Sequence, residues 1–252
     1  MPTLTKDTTK DIINKLRDDN NYYGDLGRQY ISNSDIKNLL KNPKKFREQQ
    51  DDNKNFALGR YFHQSMLEPE KAKDFPHIDV ATRNNKAYRE ICESLKKSVI
   101  LLTKEKKEID VMVQTMKSNI KFFDEIYAEG NKFEVPAIGK IMGVDFKGKA
   151  DIECENYLID LKTTSDVHGF RFSANNYGYD TQAYIYQVLF GKPLIFFTID
   201  KTSLLMGKHI PSEQMIERGK EKVLKAIQMY ERFYGENAEE DVDQYFIEEI
   251  LQ

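Results

Sequence analysis

Asp151, Asp160 and Lys162 fall in one short run, Gly148-Lys-Ala-Asp-Ile-Glu-Cys-Glu-Asn-Tyr-Leu-Ile-Asp-Leu-Lys-Thr-Thr164. From Val144 to Cys154 residues alternate. Val144, Phe146, Gly148, Ala150, Ile152 and Cys154 fall on one face, and Asp145, Lys147, Lys149, Asp151 and Glu153 on the other, the pattern of a half-buried strand. Glu155-Asn156 reads as a turn, and Tyr157 to Lys162 resumes the alternation. The register that sets apolar on apolar pairs Cys154 with Tyr157, Ile152 with Ile159 and Ala150 with Leu161, and so places Asp151 directly opposite Asp160. Cross-strand carboxylates with Cβ atoms about 4.5–5.5 Å apart repel. A divalent cation shared by both would relieve this, and Mg²⁺ takes one or two carboxylates together with waters and phosphate oxygens. Lys162, on the same polar face, could orient an attacking water or stabilise charge developing on a phosphate. The chemistry implied is phosphodiester hydrolysis. The competing reading is an exposed hairpin with solvated Asp and Lys.

The elements around this hairpin read as helices, then a mixed sheet, then helices packed on it. A short helix is expected near Asp11–Arg17. Ser32-Asn-Ser34-Asp35 starts another that Pro43 breaks, and Phe56–Leu67 forms a third, closed by Glu68-Pro69. Residues 84–129 read as two or three helices, stopped by Gly130. Strands follow at 133–141, 144–154 and 157–163. Residues 165–180 read as a loop whose Arg171, Tyr177 and Tyr179 suit contact with nucleic acid. A helix from Thr181 to Phe190, a hairpin (194–200 with 204–210), a Ser212-capped helix to about Tyr234 and an amphipathic segment, Val242–Leu251, complete the chain.

The chain has 252 residues, 40% of them apolar and spread throughout, so it can build a core. Cys92 and Cys154 are far apart, which argues against a disulfide framework or an iron–sulfur cluster and fits a reducing compartment. No run suits a membrane span, and Met1–Asp7 has no apolar signal region, so a cytoplasmic protein is expected. The net charge of −3 is unevenly placed. Residues 231–252 hold eight acids against Arg232 alone, which leaves the rest at about +4. The tail reads as a solvated helix face, or as a segment that competes with DNA or docks on a partner.

Several dispersed elements together resemble the PD-(D/E)XK nuclease superfamily, within it the RecB/RecE-type, exonuclease VIII-like enzymes. Ser32 to Phe46 is similar to the family's N-terminal helix, and Gly59 to His63 to its Gly-x-x-x-His helix. Gly148 to Asp151 is similar to its Gly-x-x-Asp strand, Asp160-Leu161-Lys162 to its Asp-x-Lys strand, and Gln182 to Tyr186 to its Gln-x-x-x-Tyr helix. The resemblance covers about residues 30–200. It implies a restriction-endonuclease-like core, a central mixed sheet flanked by helices with a helical N-terminal region. Residues 31–234 would be the nuclease domain, 1–30 a polar N-terminal extension and 235–252 an acidic C-terminal helix or tail.

The resemblance also implies roles. Asp151 and Asp160 would ligate Mg²⁺ or Mn²⁺ with the carbonyl of Leu161, Lys162 would position or activate water, and His63 would be a further ligand. Gln182 and Tyr186 would contact the substrate strand or brace the site, and Glu134 would stand behind the ligands. The implied activity is exonucleolytic hydrolysis of linear, double-stranded DNA in recombination or phage-type DNA processing, with a single-strand annealing protein as partner and a homo-oligomer as assembly. The four-cysteine cluster of some relatives is missing. The alternatives are a structure- or site-specific endonuclease on the same fold and a non-catalytic DNA-end-binding recombination protein. A small-nucleotide phosphohydrolase is disfavoured by the lack of a paired His/Asp motif or P-loop.

Overall fold

The computed structural model describes residues 8–48 and 52–250; the polar run 1–7 and Leu251, both used above, lie outside them. The chain opens with helices α1 (Thr9–Lys15), α2 (Asp19–Tyr23), α3 (Asn33–Lys41), α4 (Lys54–Leu67) and α5 (Pro69–Lys73). A short parallel pair, β1 (His77–Ile78) with β2 (Leu101–Leu102), brackets α6 (Lys86–Ser94), and α7 (Thr103–Ser118) and α8 (Ile120–Ile126) follow. The main sheet has β3 (Lys132–Ile141), β4 (Val144–Glu153), β5 (Leu158–Thr164), β6 (Leu194–Asp200) and β7 (Met206–His209) in that spatial order. Helices α9 (Phe170–Asn176) and α10 (Tyr179–Phe190) cross from β5 to β6, and α11 (Glu213–Tyr234) follows β7. Within this sheet, among the described residues, only β5 and β6 run parallel, because there only their connection is long enough to carry helices. This is the expected mixed α/β architecture.

The element boundaries have local causes. The Ser32 amide and hydroxyl both donate to Asp35, closing a capping box at the start of α3. Asn53 accepts from the amides of Asn55 and Phe56 to start α4, and Pro69 opens α5 where α4 ends. Both faces of the sheet are covered. One packs against α4, α7 and α8 through Phe62, Met112 and Phe197; the other packs against α3, α10 and α11 through Leu39, Ile185, Phe196 and Val223. Accordingly β6 is buried at every position, as its nearly unbroken apolar run Leu194–Ile199 requires. Among the described residues, no helix is long and apolar enough to cross a membrane.

Two expectations need correcting. Residues 170–176, expected as loop, form α9, because Phe170 and Ala174, one turn apart, are both buried. The segment after Tyr234 is not a helix as far as Ile250; it forms a single 3-10 turn, Val242–Gln244, and Phe246, Ile247 and Ile250 are exposed. A short helix with nothing to bury its apolar stripe is marginal in water. Residues 8–30, expected as part of a polar N-terminal extension, pack on the body of the protein. Leu16 and Tyr22 are buried, and Ile31 bridges to Phe146 of β4.

Candidate active site

The site forms where β4 and β5 part. Their ladder holds the expected register, Ile152 with Ile159 and Glu153 with Leu158, and then stops, one step short of Asp151 and Asp160. Side chains before Asp151 (Phe146, Ala150) pack toward α10, whereas those after it (Ile152, Cys154) pack toward α4, so the faces of β4 exchange at Asp151. The single apolar face expected from Val144 to Cys154 is therefore two half-faces, and β4 is covered on both sides. Opposite Asp151 on β3, between the pairs Phe133–Ile152 and Val135–Ala150, Glu134 has φ 50°. That left-handed conformation is costly for a residue with a side chain, and such strain gathers at functional sites.

Every backbone group set free by the parting strands needs a partner. The Leu161 amide donates to Asp151 Oδ2 at 2.7 Å. Asp145 and Lys147 are bonded through their backbones to Ile31. The Tyr186 hydroxyl donates to the Lys149 carbonyl at 3.0 Å and lies 3.4 Å from the Lys149 amide. Gly148 permits this, since a Cβ there would stand 2.9 Å from the Tyr186 ring. Tyr186 thus braces the gap, and Gln182 braces Asp160, donating from Nε2 to Oδ1 at 2.6 Å. Both also line the cleft.

His63, on the inner side of α4, points its Nδ1 at Asp151 Oδ2, 3.3 Å away. Ligand atoms of His63, Glu134 and Asp151 all lie within 4.8 Å of one another, a spacing that can hold a metal ion. Glu134, set behind the ligands by the resemblance, offers one of these three atoms. Burial, with Asp151 nearby, pushes the Glu134 carboxyl up to about 7. Burial opposes the charge on His63, but Asp151 outweighs it and lifts the imidazole to about 9. Burial and then the neighbouring Asp151 raise Asp160, against the pull of Lys162. Asp160 Oδ2 lies 2.8 Å from Lys162 Nζ but accepts no aligned hydrogen bond. Two acids held above their ordinary range and a buried oxygen without a hydrogen bond fit a site for a cation; hard oxygen donors with one imidazole suit Mg²⁺ or Mn²⁺. Leu161 also lines the cleft.

A family model described as a PDDEXK-like domain of unknown function (DUF3799) matches residues 32–238. The chain belongs to this PDDEXK-like family. A crystal structure of a protein from Eubacterium rectale, named as a candidate exonuclease, superposes with a TM-score of 0.62 at 16% identity, over 98% of this chain and 97% of that one. A phage-related exonuclease from Haemophilus somnus 129PT aligns over 81% of this chain and 94% of its own, at 14% identity and a TM-score of 0.35. No curated protein matches. The PD-(D/E)XK fold is thereby established.

The PDDEXK-like cleft, of about 1020 Å³, is lined by His63, Glu134, Asp151, Asp160, Leu161, Lys162, Gln182 and Tyr186, and by Tyr177 and Tyr179 but not Arg171 of the segment expected to meet nucleic acid. It also takes residues that sequence reasoning missed. Asp19, Tyr22 and Tyr23 of α2 line one wall, where Asp19 holds Lys149 Nζ at 2.6 Å. Tyr179, which the sequence did mark as suited to nucleic-acid contact, lines it as well, its ring centroid 5.1 Å from Lys162 Nζ. The adjacent tyrosines of α2 sit in a polar, aperiodic stretch, and only their aromatic character in that setting marks them.

Proposed function

We propose that this PDDEXK-like protein is a divalent-cation-dependent deoxyribonuclease that hydrolyses linear, double-stranded DNA from its ends. One observation carries the reading: His63, Glu134, Asp151, Asp160 and Lys162 line a single cleft. His63, Glu134 and Asp151 would hold the cation, with Asp160 Oδ2 beside them. A bound cation supplies polarisation of the scissile phosphate and a water of lowered pKa.

The chain's own residues do the rest. Burial works against the Lys162 charge, yet Asp160 outweighs it and keeps the ammonium pKa above its ordinary value. Lys162 is therefore a donor that orients water or meets charge developing on phosphate, rather than a base. Gln182 fixes one oxygen of Asp160, and the other, buried and without a hydrogen bond, lies 2.8 Å from the Lys162 ammonium. Binding to phosphates by a body of modest positive charge should weaken steeply with salt. The RecE-like pattern of motifs adds a role in recombination or phage DNA processing, an annealing protein as partner, a homo-oligomer and a cytoplasmic setting.

The test uses linear duplex labelled at either end, and a closed circle, with Mg²⁺ or Mn²⁺. Release of nucleotides from linear DNA alone, lost in Asp160→Asn, is expected. Cutting of the circle would make the protein an endonuclease. Binding without cleavage of any substrate would leave a DNA-end-binding protein and refute the enzymatic reading.

A further inference from the structure

The cleft carries more aromatic surface than metal chemistry uses. Tyr23 is 69% exposed and Tyr177 is 62% exposed, yet both line it. Neither ring is free to collapse inward. Tyr23 stands edge-on against the buried Tyr22, centroids 5.1 Å apart at 79°. Tyr177 lies 6.1 Å from Tyr179, which in turn stacks on the buried Phe170 at 5.5 Å and 25°. Each exposed ring is thus backed by another aromatic ring, an arrangement that fixes a flat face at little entropic cost. Each wall also carries a cation: Lys149 Nζ is 5.8 Å from the Tyr23 ring, and Lys162 Nζ is 5.1 Å from that of Tyr179.

Flat faces interleaved with cations match single-stranded nucleic acid, whose unpaired bases stack while its phosphates meet lysines. A duplex keeps its bases stacked on one another and presents only phosphate and groove. The volume of about 1020 Å³ also reaches the upper limit of sites for one small ligand. Resting on the nuclease reading above, we propose that the cleft takes its substrate as an unpaired strand. Tyr23 and Tyr177 stack on bases either side of the scissile phosphate, and Asp19 occupies Lys149 until a phosphate replaces it.

The test measures binding of a labelled twelve-nucleotide oligothymidine and of an abasic strand of the same length, in Ca²⁺. The wild type should favour the oligothymidine. Tyr23→Ala and Tyr177→Ala should each weaken that binding roughly five- to hundredfold, the range of one lost stack, and leave the abasic strand almost unaffected. Tyr23→Phe should retain affinity, since the ring and not the hydroxyl does the stacking. Phe246→Ala, an exposed aromatic outside the cleft lining, should change nothing. Equal affinity for the two strands, or alanine variants that fold and bind oligothymidine as the wild type does, overturns the stacking role while leaving the nuclease reading intact. Failure of the wild type to bind either strand or duplex overturns both.

Discussion

Glu105 and Asp160 are equally buried, each 2% exposed, and the chain treats them in opposite ways. Glu105 receives a two-pronged Arg83 at 2.8 and 2.6 Å, the Leu102 amide at 3.0 Å and Lys54 at 3.1 Å. Burial alone would raise its pKa, but these partners bring it down to about 2. Asp180 on α10, fully buried, is likewise held by two cations, Arg218 at 2.9 Å and Lys222 at 2.7 Å. In the cleft the balance reverses. Glu134, Asp151 and Asp160 share His63 and Lys162, and Glu134 and Asp160 are pushed up. Where a buried carboxylate serves the fold, bases outnumber it. Where acids outnumber bases, the balance must come from bound protons or from a cationic ligand, because an uncompensated buried charge costs several kcal/mol.

The largest effect expected from this contrast is catalytic. Asp160→Asn should lower the nuclease rate by about three orders of magnitude, the scale of several kcal/mol of transition-state stabilisation. It should leave the melting temperature of the cation-free protein unchanged or raised, because it removes one of the surplus acids. A large drop in melting temperature would mean that Asp160 is structural after all. Glu105→Gln should do the converse. Breaking that buried pair costs on the order of 3 kcal/mol, hence a melting temperature lower by roughly 10 °C, with specific activity of the folded protein kept.

Next comes the cation itself. At a hundredfold excess over its dissociation constant, Mg²⁺ or Mn²⁺ should stabilise the protein by about 2.7 kcal/mol. Glu134→Gln should lose most of that shift, and Glu105→Gln should keep it. The effect should depend on pH. His63 and Glu134 have folded pKa values of about 9 and about 7, above their ordinary values of 6.5 and 4.5. The native state therefore binds extra protons between pH 9 and 4.5, so the cation-free protein gains stability as pH falls through that window. Those protons compete with the cation, so the metal-induced shift should shrink over the same range. Glu105 has the opposite sign: its contribution is complete above pH 4.5 and is lost as pH falls toward 2. A metal-induced shift that is flat from pH 9 to 5 would remove His63 and Glu134 from the site.

How far each region could be read from the sequence follows from the distance over which its partners act. The pairing of Ile152 with Ile159 was legible, because apolar residues alternating on both arms of a short hairpin leave one good register. The exchange of faces at Asp151 was not, since it depends on the φ of Glu134 on a third strand and on α10 pressing against Gly148. His63, Gln182 and Tyr186 were recognisable only through the spacing of family motifs; nothing local distinguishes a histidine beside Phe62 from a core residue. The pairing of Glu105 with Arg83 crosses a loop and left no periodic trace. The wall built by α2 was hidden for the same reason: Tyr22 and Tyr23 lie in a run of Asn and Asp without an apolar stripe.

The smallest expected effect tests whether the braced gap belongs with the structural carboxylates or with the cleft. Tyr186→Phe removes one hydroxyl and keeps the ring that packs on Gly148. The Lys149 carbonyl and amide then lose their partner inside the protein, at a cost of about 1–3 kcal/mol for a buried polar group. If Tyr186 serves only the fold, stability should fall by that amount and the nuclease rate of the folded protein should stay. If the brace also sets the position of Asp151, which sits two residues along β4 and holds the Leu161 amide, the rate should fall as well, and the apparent affinity for the cation with it. A thermal melt and a cation titration on the same variant separate the two. Loss of stability with an unchanged titration would place the brace with Glu105 and Asp180, and confine the deficit of charge to the carboxylates themselves.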